Sequence, residues 1–277
     1  MGNSFPALAR TSLALGLTIL LPLSAAAQGR RPPADVPSPR TDRNSQIAHE
    51  QLLAKARSGR IDVYFSGDSI TRRWGATDYP ELLAHWTKTF SGWNAADFGW
   101  GADLTQHILW RLENGELNGV NPKVIVLLAG TNNIGNATPA DANALAANVV
   151  SGLAAIVRTM RAKAPAAVIV LTAIFPRNDN MAVMPVIDQV NRQLAALADG
   201  STVRFLNINE RLADASGTLH SGMMHDGLHP SIAGYQVWAD ALTPILTGLL
   251  GPRAGTDLAP PPTGDPSATA KPESPAK

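Results

Sequence analysis

Short apolar runs recur along the chain, and each leads into a turn rich in glycine, asparagine or aspartate. They span residues 61–65, 95–98 (the weakest), 124–128, 168–174 and 203–208. Uninterrupted aliphatic and β-branched runs are typical of strands buried on both faces of a parallel sheet. Segments with helical spacing of apolar residues alternate with them, at 140–163, 185–198 and 232–250. This alternation predicts an α/β fold in which helices cover both faces of a parallel sheet.

The first apolar run leads directly into Gly67, Asp68 and Ser69, ahead of a new helical segment. A glycine lets the backbone turn and approach a substrate, and open α/β sheets bind ligands at the carboxyl ends of their strands. Asp68 adjoins the serine, but neighbouring side chains in a turn point apart, so we interpret Asp68 as a residue that ties the loop. Ser69 is therefore the candidate nucleophile.

An acid and a base lie three positions apart near the other end of the domain, at Asp226 and His229. A serine hydroxyl needs a neutral imidazole to take its proton, and a carboxylate to hold that imidazole in the right tautomer. His220 and His225 are close in sequence and raise the alternative of a metal site, but a helical His-Glu-x-x-His pattern is missing. We predict a triad of Ser69, Asp226 and His229, with no metal and no cofactor.

A third loop, from Gly130 to Asn133, follows the apolar run 124–128. The side-chain amide of Asn132 can donate to an oxyanion that develops during acyl transfer. Thr131 and Asn133 are interpreted as residues that brace the loop presenting Asn132.

Taken in order, these blocks and a turn from Gly99 to Asp103 resemble the SGNH branch of the GDSL hydrolases. Within that family the chain is most similar to esterases like the catalytic subunits of platelet-activating-factor acetylhydrolase, and the resemblance covers residues 60–250. It implies the SGNH hydrolase fold, a flavodoxin-like three-layer sandwich with a five-stranded parallel sheet in the order 2-1-3-4-5. It also implies pairing into a homodimer.

The resemblance further implies an oxyanion hole made by the backbone N–H groups of Ser69 and residue 102 together with the Asn132 side chain. The family usually has glycine at the second position, and this chain has Ala102. A backbone donor survives that change if the backbone does not need a positive φ angle, with Gly101 taking up the turn. Asp103 is predicted to cap the helix that follows, because aspartate is favoured at that position.

The termini differ in composition from the domain between them. Residues 1–27 contain Arg10, an apolar run from Leu13 to Leu23 and a small-residue end at Ala27, which predicts a cleavable signal peptide. An uncleaved membrane anchor is the alternative, although the apolar run is short for a transmembrane span. Residues 28–43 and 251–277 are polar and rich in proline, which predicts a disordered linker and a disordered tail. The hydrolase domain is then expected over residues 44–250. The chain contains no cysteine, so it forms no disulfide bonds.

The net charge of the chain excludes two kinds of partner. Arg10 is the only charged residue in positions 1–27, so the remaining chain loses one of 23 basic residues and balances its 22 acidic ones. A neutral chain has no electrostatic footprint for nucleic acid or an anionic membrane, and we expect no stable membrane insertion once the signal peptide is cleaved. We expect a periplasmic or secreted serine esterase for short, notably acetyl, esters, with O-acetylated carbohydrate or another small ester as its substrate.

Other interpretations stay open from the sequence. Within the enzyme class they are an arylesterase, a lysophospholipase or thioesterase, and an acyltransferase that passes the acyl group to a sugar. From a different class comes a non-catalytic carbohydrate-binding domain of the same fold. Three aromatic residues fit either stacking on a substrate or a place in the core: Trp74, Tyr79 and Trp100. Two others, His107 and Trp110, are interpreted as packing residues because they have helical spacing.

Overall fold

The structure is a computed structural model that describes residues 1–2, 32–135 and 141–270. The elements considered below lie between residues 32 and 270. The predicted signal peptide falls outside the described residues except for Met1 and Gly2, and of the predicted linker only residues 32–43 are described.

Five strands form one fully parallel sheet in the order β2-β1-β3-β4-β5. The predicted strand order is therefore confirmed, and β1 and β3 are neighbours at the point where the order reverses. Every residue of β1 and β3 is buried, which explains why both are unbroken apolar runs in the sequence. The strands are β1 Val63–Gly67, β2 Ala95–Asp97, β3 Val124–Leu128, β4 Val168–Thr172 and β5 Val203–Leu206.

Helices cover the sheet on both faces and complete the predicted three layers. They are α1 Arg43–Ala56, α2 Ser69–Gly75, α3 Pro80–Phe90, α4 Thr105–Arg111, α5 Thr131–Ile134, α6 Ala142–Lys163, α7 Met184–Ala195, α8 Asn209–Leu212 and α9 Ile232–Leu250. A π-helical turn, Leu112–Glu116, continues α4, and 3₁₀ turns span Met181–Val183 and Pro266–Ala270.

The alternation of side chains along each strand divides the core in two. Tyr64 joins a cluster with residues of α1, α4, α6 and α7. Phe65 joins a second cluster on the opposite face, where it contacts Trp86 and Phe90 of α3 and Trp238 of α9. Burying large aromatic side chains on this second face stabilises the position of α2 and α9, which carry or flank the candidate site.

One helix among the described residues, α6, is long and apolar enough to cross a membrane by length and composition. In the structure it covers the sheet instead, with Val149, Leu153, Ile156 and Met160 fully buried in the first core cluster. Its apolar character is therefore accounted for by packing inside the domain.

Residues 32–43 do not form the disordered linker that their composition predicts. Ala34 is fully buried, its N–H donates to Asn148, and its carbonyl oxygen accepts from the hydroxyl of Thr105. The N–H of Ser38 donates to the carbonyl oxygen of Gln106 at 3.0 Å. Composition measures only how much apolar surface a segment can bury, and here backbone hydrogen bonds to α4 and α6 hold a polar segment in place.

The expectation of a disordered tail is likewise wrong for residues 251–268. The N–H of Leu258 donates to the side chain of Asn94 at 2.7 Å, and its carbonyl oxygen accepts from the N–H of Arg60. Further on, the Thr263 carbonyl oxygen accepts from the N–H of Thr77. Prolines 260–262 line one cavity together with β2, the edge strand, and a segment without backbone N–H groups cannot extend the sheet there.

Candidate active site

The turn between β1 and α2 presents Ser69. Asp68 is the N-cap residue of α2, and its carboxylate accepts from the N–H of Ile70 at 2.9 Å, so it ties the loop as predicted. A Cβ atom at Gly67 would collide with the Thr71 hydroxyl and with the carbonyl oxygen of Leu128, so this turn requires glycine. Ser69 begins the helix and stays partly exposed. Its N–H has no intrahelical acceptor and is available to a ligand.

A loop before α9 brings the imidazole to this serine. His229 Nε2 lies 2.9 Å from the Oγ atom of Ser69, and His229 Nδ1 lies 2.7 Å from Oδ2 of Asp226. The other carboxylate oxygen of Asp226 accepts from the backbone N–H groups of Leu228 and His229, at 3.1 and 2.8 Å. The carboxylate, the imidazole and the hydroxyl therefore form one continuous hydrogen-bonded chain in the predicted order.

The surroundings of these groups favour a neutral imidazole beside a charged carboxylate. Burial lowers the pKa of His229 below 6.5, the Asp226 hydrogen bond opposes that effect, and the nearby charge of Arg73 lowers the pKa further. Partial burial alone would raise the pKa of Asp226, but hydrogen bonds from His229 and Leu228 hold that pKa well below its ordinary value. At neutral pH the imidazole can therefore accept a proton from Ser69.

Ala102 lies in the left-handed region of backbone conformation, with φ at +59°. The expectation that this position avoids a positive φ, with Gly101 taking up the turn, is wrong. A side chain in this conformation costs about 1–2 kcal/mol, because Cβ crowds the backbone. Glycine would adopt the same conformation without that cost. The side chain of Ala102 is exposed, so no packing interaction offsets the strain.

Hydrogen bonds join the three loops at the carboxyl edge of the sheet. The N–H of Trp100 donates to the carbonyl oxygen of Gly67 at 3.1 Å, which ties the second loop to the nucleophile turn. The amide of Asn132 donates to the Asp103 carbonyl oxygen at 2.9 Å. That bond uses one of the two amide hydrogens and leaves the other for an oxyanion. Ser69, Ala102 and Asn132 therefore belong to loops that are fastened to one another.

Comparison with known proteins agrees with this architecture. Residues 65–237 match the model of the GDSL-like Lipase/Acylhydrolase family. The chain belongs to this family. It is 32% identical over 236 residues to platelet-activating factor acetylhydrolase IB subunit alpha1 of Homo sapiens, a match that covers 82% of this chain and 95% of that protein. This GDSL-family chain is therefore a carboxylic ester hydrolase.

Solved structures of the same fold include other esterases. A GDSL-like lipase from Bacteroides thetaiotaomicron matches with a TM-score of 0.56 at 17% identity and covers 73% of this chain and 98% of that one. A carbohydrate esterase of family 3 from Talaromyces cellulolyticus matches with a TM-score of 0.50 at 19% identity, covering 68% and 97%. At these identities the two matches show the shared fold of the GDSL hydrolases.

Asp103 has a different role from the predicted helix cap. Leu104 occupies the N-cap position of α4, and the Asp103 carboxylate is fully buried. It accepts from Nε of Arg111 at 2.9 Å and lies 3.4 Å from Nη1 of Arg40. Burial raises the pKa of Asp103 to about 6, although the two guanidinium groups lower it. The carboxylate anchors the loop that carries Ala102 from inside the GDSL-family domain.

Sequence reasoning missed Arg177, which joins the Asn132 loop to the chain beside His229. Its guanidinium donates to the Thr131 hydroxyl at 3.2 Å and, from Nε, to Asp179 at 2.7 Å. The N–H of the intervening Asn178 donates to the carbonyl oxygen of Gly227 in the triad loop. Arg177 follows the apolar run of β4 at the carboxyl edge of the sheet, and that position is the signal that could have identified it. Thr131 thus braces the loop, as predicted.

The sequence also gave no indication of Arg40, whose guanidinium lies 3.4 Å from the Asp103 carboxylate.

Asn133 also has the bracing role expected of it. Its side-chain oxygen accepts from the N–H of Thr105 at 2.9 Å, and its amide nitrogen donates to Gln106. These bonds fasten the third loop of the hydrolase to the start of α4.

The aromatic residues near the site divide between core and surface. Trp74 is fully buried among Trp86, Phe90, Tyr235 and Trp238. Trp100 is also buried and donates from its indole N–H to Ser45. Neither side chain can stack on a substrate, so Trp74 and Trp100 are core residues.

Tyr79, which the sequence left undecided, and the α4 residues His107 and Trp110, which were predicted to pack, all contact neighbouring side chains or backbone. Tyr79 is partly buried, and the guanidinium groups of Arg72 and Arg73 lie over its ring. His107 accepts from the N–H of Leu104, and Trp110 packs against His49 with ring centroids 4.9 Å apart. These contacts agree with packing roles on α4.

His220 and His225 are exposed, and neither imidazole takes part in the hydrogen-bonded chain of the candidate site, although the backbone N–H of His225 donates to the carbonyl oxygen of His229. In the part of the chain that the structure describes, no three His, Cys, Asp or Glu side chains gather in a way that could hold a metal ion.

Proposed function

We propose that this acylhydrolase is an exported serine esterase that removes short acyl groups, above all acetyl, through an acyl-enzyme intermediate. The observation that carries the proposal is the continuous chain from Asp226 through His229 to Ser69, with Nε2 and Oγ 2.9 Å apart. That distance is within the range for proton transfer between a base and a nucleophile.

In the first half-reaction, Nε2 of His229 takes the proton of the Ser69 hydroxyl while Oγ attacks the ester carbonyl carbon. The N–H groups of Ser69 and Ala102 and the free amide hydrogen of Asn132 stabilise the tetrahedral oxyanion. Asp226 stabilises the imidazolium that forms. The imidazolium then returns the proton to the alcohol oxygen as the C–O bond breaks, which leaves an acyl-serine.

In the second half-reaction, the same imidazole takes a proton from water as the water oxygen attacks the acyl-serine. The tetrahedral intermediate collapses when His229 protonates Oγ of Ser69, and the carboxylic acid leaves. A hydroxyl group of a sugar in place of water would give acyl transfer, so analysis of the products separates hydrolase from transferase.

The preference for acetyl groups is supported by the relatives at about 30% identity, which are named acetylhydrolase subunits. The alternatives are an arylesterase and a lysophospholipase or thioesterase. They differ from an acetylesterase in how the rate depends on the length of the acyl chain.

The decisive test is the catalytic efficiency on nitrophenyl esters from acetyl to decanoyl. We expect the highest efficiency on acetyl, loss of all activity in Ser69→Ala, and full activity in Ser58→Ala, an exposed serine at the end of α1. Activity that survives in Ser69→Ala would overturn the triad. Highest efficiency on octanoyl or decanoyl esters would favour a lysophospholipase or thioesterase.

O-acetylated carbohydrate is the natural substrate class we propose, because a neutral exported chain meets such polymers outside the cytoplasm. Acetate release from acetylated xylo- or cello-oligosaccharides tests this step. Nitrophenyl acetate cleavage without any release from acetylated sugars would restrict the function to small or aryl esters.

Export rests on the pattern in residues 1–27. Expression in a bacterial host should give a periplasmic or secreted protein whose N-terminus is Gln28, read by mass spectrometry. Leu17→Arg breaks the apolar run and should retain the full-length protein inside the cell. A full-length wild-type protein in the cytoplasm would contradict export without affecting the proposed chemistry.

A further inference from the structure

Arg40 reaches the loop that carries Ala102 from the segment that precedes α1. Its Nη1 atom donates to the carbonyl oxygen of Gly101 at 3.0 Å and lies 3.4 Å from Oδ1 of Asp103. Its Nε atom donates to Asp42 at 3.0 Å. The guanidinium therefore contacts the loop on both sides of Ala102.

Asp42, which accepts a hydrogen bond from Arg40, is itself fixed by a second hydrogen bond. The second carboxylate oxygen of Asp42 accepts from the N–H of Ser45 at 2.9 Å, so Asp42 caps α1 while it holds Arg40. The preceding residues are bound to α4 through Ser38 and Ala34. These contacts fix the position of Arg40, and its side chain is three-quarters buried.

The carbonyl oxygen that Arg40 holds belongs to the same peptide group as the N–H of Ala102. A peptide group is planar and trans, so the direction of the C=O of Gly101 determines the opposite direction of the Ala102 N–H. A rotation of this plane by about 180° would turn the N–H away from the oxyanion position and would change ψ of residue 101 and φ of residue 102.

Such a rotation is favoured by the residue present at position 102. It would move φ of Ala102 from +59° to a negative value, which is the preferred region for any residue with a Cβ atom. Gly101 has no Cβ and accommodates the accompanying change in ψ. The bond from Arg40 to the Gly101 carbonyl oxygen opposes this rotation.

We propose that Arg40 is a positioning residue that holds the Gly101–Ala102 peptide with its N–H directed at the oxyanion, and so makes alanine workable at a position suited to glycine. The proposal rests on the proposed esterase function. Arg40 does not touch the reacting atoms and acts through Gly101.

The first measurement is kcat and KM on nitrophenyl acetate for Arg40→Ala. We expect kcat to fall by about 10- to 100-fold, approaching the loss of one oxyanion donor, while KM changes by less than about threefold. Arg57→Ala is the matched control, since it removes the same charge from an exposed site at the far end of α1. Arg40→Lys keeps a hydrogen-bond donor on a shorter side chain, so its kcat should lie between those of Arg40→Ala and wild type. If Arg40→Ala does not fold, as judged by circular dichroism, Arg40→Lys and Arg40→Gln carry the same comparison.

A double-mutant cycle with Ala102→Gly separates positioning from general stability. With glycine at position 102 a positive φ carries no penalty and the rotation is no longer favoured. The loss of kcat caused by Arg40→Ala should therefore be at least about fivefold smaller in the Ala102→Gly background. An equal loss in both backgrounds would overturn the proposal, as would a kcat for Arg40→Ala within about twofold of wild type.

Failure of this proposal is distinguishable from failure of the esterase function. If wild-type activity depends on Ser69 and Arg40→Ala has no effect, only the positioning role is wrong. If wild-type activity is independent of Ser69, the esterase mechanism itself is wrong and Arg40 has no oxyanion donor to position.

Discussion

The side-chain amide of Asn132 donates a hydrogen bond to the backbone carbonyl oxygen of Asp103, at 2.9 Å, across the carboxyl edge of the sheet. One donor thus fastens the loop after β3 to the loop after β2. Because Ala102 adjoins Asp103, this bond ties the backbone around Ala102 to the loop of Asn132 at the edge of the sheet where the β1 turn presents Ser69.

Asn132→Ala should reduce kcat on nitrophenyl acetate by about 100- to 1,000-fold while the protein stays folded, since it removes one oxyanion donor. The loss of the bond to Asp103 adds to the effect by freeing the loop. Asn121→Ala, an exposed asparagine remote from the site, is the control and should match wild type. Turnover in Asn132→Ala near the wild-type level would remove this residue from the site.

Ala102→Gly should raise the free energy of unfolding by up to about 1 kcal/mol, because it removes left-handed strain, and the greater entropy of glycine in the unfolded chain offsets part of the gain. Ala102→Val should lower it by at least about 1 kcal/mol and reduce kcat, since a β-branched residue is poorly tolerated at positive φ. Urea unfolding measures both variants. Equal stability of the glycine and valine variants would show that the strain at this position is absent.

The acidic limb of the pH–rate profile should have its midpoint below pH 6.5. The reaction needs neutral His229, and burial together with the charge of Arg73 lowers the pKa of that imidazole. In Arg73→Ala the imidazole should protonate more easily, so the limb should move to higher pH. Arg57→Ala removes a distant charge and should leave the limb in place. A shift to lower pH in Arg73→Ala would contradict this account.

Asp68 should make the domain less stable as the pH rises toward 7. Burial raises the pKa of this carboxyl to about 7, the charge of Asp103 adds to that effect, and the N–H of Ile70 opposes it. Between the unfolded pKa of 3.8 and the folded value, only the folded state holds the proton. The resulting stabilisation is full below pH 3.8 and is lost as the pH rises through about 7.

Asp68→Asn keeps an oxygen for the Ile70 N–H and cannot ionise. Urea unfolding at several pH values between 5 and 8 should therefore show a smaller loss of stability with rising pH in the variant than in wild type. The comparison isolates Asp68, because Asp97 and Asp103 also have raised pKa values and remain in both proteins. Identical slopes would rule out ionisation of Asp68 over this range.

Ending the chain after Gly251 should lower the melting temperature by roughly 3–10 °C. The truncation removes the backbone bonds of Leu258 and Thr263, and each lost bond contributes about 1 kcal/mol before the ordering entropy of the tail is subtracted. Asn94→Gly removes the acceptor of the Leu258 N–H together with the amide that donates to Asp62, keeps the positive φ of this position available, and should give a smaller decrease than the truncation. An unchanged melting temperature after truncation would mean that the tail adds no stability.

Much of the site was predictable from the sequence because its residues follow elements with strong local signals. Ser69 and Asn132 come directly after strands whose apolar runs are unbroken, and parallel strands end at a common edge. Asp226 and His229 are three positions apart, so one loop suffices to join them. In contrast, Asp103 looked like a helix cap because a local preference was the only information available, whereas its partners Arg40 and Arg111 are supplied by other elements.

Local apolar patterning determined the α/β class, the five strands and the loops that carry Ser69 and Asn132, because each of these follows from which residues must leave water. The spacing of Asp226 and His229 identified the third loop. The tertiary structure alone decided that Ala102 has a positive φ, that residues 32–43 and the proline-rich tail pack on the domain, and that Arg40 holds the Gly101 carbonyl oxygen. The packing of both segments and the Arg40 contact depend on hydrogen bonds that join backbone groups to side chains far apart in the chain. Such bonds leave no periodic pattern, since neither partner needs an apolar neighbour to form them.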